Sequence, residues 1–219
     1  ASATEVAQAV EDLQTAMTEI PALAELWTLL DQVKALGSYN DVYKNKVDQA
    51  ITDATALTEK TGASADELRQ MIARLETVLE MVKKEPRGGF EKIEAKSFDA
   101  TEGITIDGGG NIGGVNPGEW VKYSSVYFSG KAGRIQVNYA AQQKDAGGVI
   151  QVRLDALDGP VIAELDAPAT GNDWSTYVTI GGILDEYVEG VYDVYLCFSG
   201  PKSHVANVMW FQFDPLGVY

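Results

Sequence analysis

Two folds in series, an all-α unit followed by an all-β unit, are predicted by three features of the 219-residue chain. Only Gly37 and Gly62 precede residue 88, and the other twenty glycines lie in Gly88 to Tyr219. Before that point apolar residues recur at helical spacing. After it, short segments alternate apolar and polar residues between glycine- and proline-bearing turns. The change in composition places the boundary at Glu85-Pro86-Arg87-Gly88-Gly89, with 87–89 as a linker and a sheet unit over 90–219.

Four amphipathic helices are expected in the first part, from four apolar stripes. These are Val6, Val10, Leu13 and Met17; Leu26, Leu30 and Val33; Tyr43, Val47, Ile51 and Ala54; and Leu68, Ile72, Leu75, Leu79 and Val82. Pro21 separates the first two, because a proline ring removes a backbone donor and clashes with the preceding turn. Gly37 to Asn40 and Thr61-Gly62 supply the next breaks, and Ser64 with Glu67 has capping-box spacing. Short connections favour antiparallel neighbours in a bundle.

Residues 1–20 also align without gaps on residues 63–82, an offset of 62, with seven of twenty positions identical. A long helix, an Asn/Tyr-marked turn, a second helix and Thr61-Gly62-Ala63-Ser64 opening a third resemble the FIVAR module of extracellular bacterial proteins. On that resemblance 21–86 is one helical module and 1–20 the last helix of a preceding one. The plainer alternative is that two capped amphipathic helices look alike because their constraints are alike. Nothing in this half has metal-ligand, nucleophile or phosphate-loop spacing, and a spacer between modules is the role its stacked helices suit.

In the second part Ile150, Val152 and Leu154 alternate with Gln151, Arg153 and Asp155, the pattern of an antiparallel sandwich with one wet face per sheet. The single cysteine, Cys197, falls in the alternating run Val191 to Phe198 and excludes an internal disulfide. A formal net charge of -15 with no basic patch argues against nucleic acid or an anionic membrane as partner. No apolar run approaches the roughly 20 residues that span a bilayer. Gly108, Gly110 and Gly113 satisfy G-x-G-x-x-G, but they run into Val-Asn-Pro-Gly and a strand instead of opening a helix, so a dinucleotide site is dismissed. Catalysis has little support: Asp185-Glu186 are adjacent acids that point apart, and His204 has no nucleophile beside it in sequence.

The stretch Gly108 to Tyr123 carries a more specific signal. Asn111-Ile112-Gly113 followed by Gly118-Glu119-Trp120-Val121-Lys122-Tyr123 resembles the signature of family-6 carbohydrate-binding modules. Further landmarks follow the family order: Ile93-Glu94-Ala95, Ile150 to Asp155, Gly171-Asn172-Asp173-Trp174, and the closing strand Asn207 to Phe213. The resemblance covers residues 90–215 and implies a β-jelly roll that binds a poly- or oligosaccharide without catalysis. It implies a cleft in the loops at one end, with Trp174 stacking on a sugar and Asn207 hydrogen-bonding it. Gly114 stands where the family usually carries a second aromatic residue, so the slot is widened, compensated by Tyr177 or Tyr219, or disabled. A second surface used by some members places Trp120 and Lys122 on one sheet face. Members commonly bind a structural calcium through carboxylates; here Glu94 and Asp214 are present, but Lys96 replaces the remaining acid. The function implied is polysaccharide targeting within a larger extracellular or cell-surface bacterial glycan-processing protein, in company with its other modules. The alternative is a structural or adhesion segment whose sandwich has lost sugar binding.

Overall fold

The computed structural model describes residues 2–37, 39–144, 148–201 and 203–217. It separates into two units, Ala1–Glu85 and Pro86–Tyr219, at the composition change seen in sequence. The segment expected as a linker is instead part of the sheet: β1 (Arg87–Gly88) lies parallel to Val126 and Tyr127. A Cβ on Gly89 would fall 2.6 Å from the Phe128 ring, so glycine serves close packing at this point and not flexibility.

The first unit has three helices where four were expected: α1 (Ala3–Lys34), α2 (Lys44–Glu59) and α3 (Ala65–Met81). Pro21 lies inside α1. It forfeits the N–H that would reach the Met17 carbonyl. Because Pro21 is exposed, solvent is at hand to satisfy that carbonyl, and the helix continues. Both α1 and α3 open on a capping box: the hydroxyls of Ser2 and Ser64 accept from the amides of Glu5 and Glu67, whose carboxylates accept from the serine amides.

Leu26, Leu30 and Val33 of α1 are buried with Val47, Ala50 and Ala54 of α2 and Leu68, Ile72 and Leu75 of α3. Each large side chain so buried contributes about 1.5–3 kcal/mol. Tyr43, fully buried, donates its hydroxyl to the Lys84 carbonyl at 2.7 Å, tying the turn before α2 to the end of α3. The stripe on the first half of α1 behaves differently. Val6, Val10, Leu13, Met17 and Ile20 are 50% to 68% exposed, although their counterparts Leu68, Ile72 and Leu75 in the repeat are buried.

The second unit is an antiparallel β-sandwich. After β1 come β2 (Ile93–Glu94), β3 (Ala100–Glu102), β4 (Thr105–Ile106), β5 (Ile112–Gly113), β6 (Trp120–Ala140), β7 (Gly148–Leu154), β8 (Val161–Ala167), β9 (Val178–Ser199) and β10 (Asn207–Pro215). The main path runs β4-β5-β10-β6-β9-β7-β8, with β2 on β10 and β1 and β3 on β6. β6 and β9 are long because each passes through both layers. Their register breaks between Phe128 and Ala132, where the chain turns from one layer to the other. Residues 120–128 of β6 lie with β3, β9 and, through β9, β7; residues 132–140 lie with β10. Ile150, Val152 and Leu154 are buried and Gln151 and Arg153 are half-buried, as the alternation requires. Between the layers Tyr123 meets Phe211 and Phe128 meets Phe213 edge-on, with ring centroids 4.7 and 4.9 Å apart.

Candidate functional site

Loops between the strands gather where β6 ends and β10 begins, and backbone bonds lock them together. The Thr170 and Gln143 amides donate to the Ala141 and Gly171 carbonyls at 2.9 and 2.8 Å, and the Val205 amide donates to Val115 at 2.8 Å. Such cross-linked loops hold side chains in fixed positions, which a binding site needs.

Trp174 stands in this group, neither buried nor fully exposed. One side of its ring packs on the hydrophobic core. Its edge meets the His204 imidazole at a centroid distance of 5.9 Å. The turn carrying it is clamped by Asp173, whose Oδ1 accepts from the amides of Ser175 and Thr176, both at 2.9 Å, and from their hydroxyls at 2.8 and 3.0 Å. The Ser175 amide and hydroxyl, with the Thr176 contacts, hold the Asp173 carboxyl below the usual carboxylate range. Asp173 was not among the residues singled out from sequence, although an aspartate followed by Ser and Thr at the second and third positions is a turn signature.

Asn207 opens β10 opposite Ala140 and is half-buried. Beside it the Tyr177 phenol has a raised pKa, pushed up by burial and by the charge of Asp107 against the opposing pull of the Asn207 side chain. Asp107 in turn accepts from Asn111 Nδ2 at 3.3 Å and folds over Gly113, where a Cβ would collide with its carboxylate. The structure therefore joins Trp174, His204, Tyr177, Asn207 and Asp107 at one end of the sandwich. Tyr219, the other ring considered from sequence, lies outside the described residues.

Gly114 borders the same loops. Its φ is +63°, a left-handed conformation that costs an L residue energy, and only Thr105 Oγ1, at 3.6 Å, lies within 4 Å of where its Cβ would be. The backbone thus favours glycine here, and it leaves an open slot in place of a ring.

Trp120 and Lys122 share the sheet face predicted for them, but that face is occupied by its own contacts. The Trp120 indole N–H donates to Glu102 Oε2 at 3.1 Å, and its ring lies 5.7 Å from that of Tyr195. Lys122 Nζ is 2.6 Å from Asp193 Oδ2. Burial pushes the Lys122 ammonium down, but Asp193 and the Tyr195 hydroxyl outweigh it and its pKa is raised. Polar groups already paired in this way have less to offer a sugar hydroxyl than those at the loop end.

The proposed calcium ligands are not brought together. Glu94 pairs with Trp210, four residues along β10 from Asp214, a separation of about 13 Å of strand. Asp214 Oδ2 accepts from Gln136 Nε2 at 2.7 Å, and the Lys96 ammonium reaches toward Gly110. Among the described residues no group of three or more His, Cys, Asp or Glu side chains could hold a metal ion. Glu94 and Asp214 therefore stand apart on the sheet.

Comparison with known proteins agrees with the sandwich. The profile of the carbohydrate binding module (family 6) matches residues 94–215, more than half of the chain. A β-1,3-glucan binding family-6 module from Bacillus halodurans is 36% identical with a TM-score of 0.53, the match covering 59% of this chain and 99% of that one. A family-6 module from Clostridium cellulolyticum, solved in complex with xylose, is 31% identical with a TM-score of 0.54, covering 58% and 99%. An arabinoxylan arabinofuranohydrolase from Paenibacillus polymyxa is 28% identical over 137 residues, 58% of this chain; the match spans only 21% of that enzyme. With its profile and its layered strands in agreement, the chain belongs to the family-6 carbohydrate-binding modules.

Proposed function

We propose that the loop-end cleft binds a poly- or oligosaccharide, with Trp174 stacking on a pyranose face and Asn207 and Tyr177 meeting its hydroxyls. The observation that carries this is a partly exposed indole fixed on the Asp173 clamp beside the open slot at Gly114. A stacking surface held rigid in this way pays little ordering entropy on binding. The self-paired groups around Trp120 make the sheet face the lesser surface. The similar modules named for β-1,3-glucan and for xylose indicate which glycans to try first.

The setting proposed is a larger extracellular or cell-surface bacterial protein that acts on glycans, where a tethered module raises local substrate concentration. The helical unit serves there as a spacer resembling a FIVAR module. The exposed stripe Val6 to Ile20 supports this, since its counterpart in α3 is covered by α1 and α2. Among the described residues no helix is long and apolar enough to cross a membrane. The competing reading is a structural or adhesion segment whose sandwich no longer binds sugar, and the absence of a second aromatic ring at Gly114 is what favours it.

Native gel electrophoresis through soluble β-1,3-glucan or xylan separates the two. Binding predicts retarded migration that Trp174→Ala abolishes and Trp120→Ala leaves in place. Unretarded migration on every glycan would support the structural reading.

A further inference from the structure

The opposite end of the sandwich holds a second cavity, of about 310 Å³, lined by Gly133, Arg134, Gly181, Gly182, Tyr187 and Leu216 among others. Arg134 is six residues along β6 from Ala140, the partner of Asn207, so this cavity lies about 20 Å of strand away from the loop-end cleft.

Its walls combine three kinds of group. The Tyr187 side chain is 58% exposed beside Ile183 at 77% and Leu216 at 43%, so an aromatic ring and two aliphatic chains face solvent together. Gly181 has no side chain where one would fall 2.8 Å from Arg134 Nη2, and this lets the guanidinium lie across the neighbouring strand. Lys131 Nζ stands 5.9 Å from the centre of the Tyr187 ring.

Among the described residues neither Arg134 nor Lys131 forms an ion pair. Asp214, across the strand from Arg134, gives its Oδ2 to Gln136 instead. Arg134, outside any ion pair, and Lys131, whose ammonium lies over the ring itself, therefore flank the exposed Tyr187 in a chain whose net charge is -15. That arrangement suits a ligand with an apolar face and one carboxylate: the face stacks on Tyr187 while Arg134 and Lys131 take the carboxylate. We propose that this cavity is a second glycan subsite, for a carboxylate-bearing pyranose of the uronate class. Asp185 and Glu186 immediately precede Tyr187 in β9. They oppose long-range attraction of an anion, so recognition depends on the short-range contacts of Arg134 and Lys131 and weakens as salt is raised.

The proposal does not depend on the loop-end reading, and the test keeps the two apart. Methyl β-D-glucuronide and methyl β-D-glucoside are titrated separately into the ¹⁵N-labelled full chain, following the amide resonances of Gly181, Gly182 and Gly217. The glucuronide is expected to give saturable shifts, with the glucoside weaker by about tenfold or more. Arg134→Gln and Tyr187→Ala each weaken the glucuronide by a similar factor, and Trp174→Ala leaves it unchanged. Both Arg134 and Tyr187 are exposed, so the variants keep the fold. Absence of saturable shifts, equal affinity for the two glycosides, or loss of binding in Trp174→Ala would overturn the assignment.

Discussion

Restoring a ring at position 114 tests the loop-end cleft more sharply than removing one. A Cβ at position 114 meets only Thr105 Oγ1, at 3.6 Å, so the cost of introducing it is conformational and not steric. At φ +63° an L residue pays about 1–2 kcal/mol, which should lower the melting temperature of the sandwich by several degrees. A second aromatic face returns about 1–1.5 kcal/mol of stacking to the complex, an affinity gain of roughly tenfold. Gly114→Ala supplies the control, because it carries the same backbone strain without the ring. Calorimetric titration with xylo-oligosaccharides and β-1,3-glucan oligosaccharides, alongside thermal melts, gives both quantities. The expected pattern is an equal loss of stability in the two variants and tighter binding in the tyrosine variant alone. Equal affinity in both would mean that position 114 does not border the sugar, and the cleft as assigned would be refuted.

Other substitutions probe the supports. Because Asp173 has a lowered folded pKa, its contribution is present above the unfolded carboxylate value and is lost as pH falls through the folded one; glycan binding should hold at neutral pH and fail only once pH falls below the ordinary carboxylate range. Asp173→Ala should weaken binding at pH 7, and loss of the low-field Ser175 and Thr176 amide shifts would report the opened clamp. Asp193→Ala removes the acceptor of both Lys122 and the Ser125 amide. It should destabilise the sandwich by about 2–3 kcal/mol in a thermal melt, less than for a fully buried pair because solvent can reach the lysine. Pro21→Ala should restore a backbone donor inside α1 and raise the melting temperature of the helical unit, by up to about 3 kcal/mol of stability; an unchanged melt would show that α1 already bends or frays there. A chelator should leave the melting temperature of the sandwich unchanged, since Glu94 and Asp214 stand apart; a large fall would show that calcium is held by other ligands.

Local patterns in the chain made much of the fold legible and misled where tertiary context decides. Strand alternation at Ile150 to Leu154 depends only on neighbours in sequence, and the structure buries those residues as the pattern requires. The capping boxes at Ser2 and Ser64 are equally local. Pro21 obeyed a local rule that fails here, because whether a lost helix bond is costly depends on whether water reaches the freed carbonyl. Gly88 and Gly89 looked like a flexible joint, yet the Phe128 ring against Gly89 reveals a packing requirement that no neighbouring residue announces. The expected calcium ligands depend on the same kind of context: matching acids in two motifs does not set the register between two strands, and β2 meets β10 at Trp210.

The site shows the same division. Trp174 was visible because its turn is written in consecutive residues, and its clamp, Asp173 with Ser175 and Thr176, was equally within reach of the sequence. The nearness of Tyr177 to Asn207 was not, since it arises only when β6 lies between the strands that follow them, with Tyr139 against Val178 and Ala140 against Asn207. That shared strand matters for function. It brings the Tyr177 phenol near Asn207, so the proposed cleft would offer one stacking face, that of Trp174, and a polar edge. A site of this form should select sugars by the hydroxyls they present to that edge more than by the length of chain clasped between two rings.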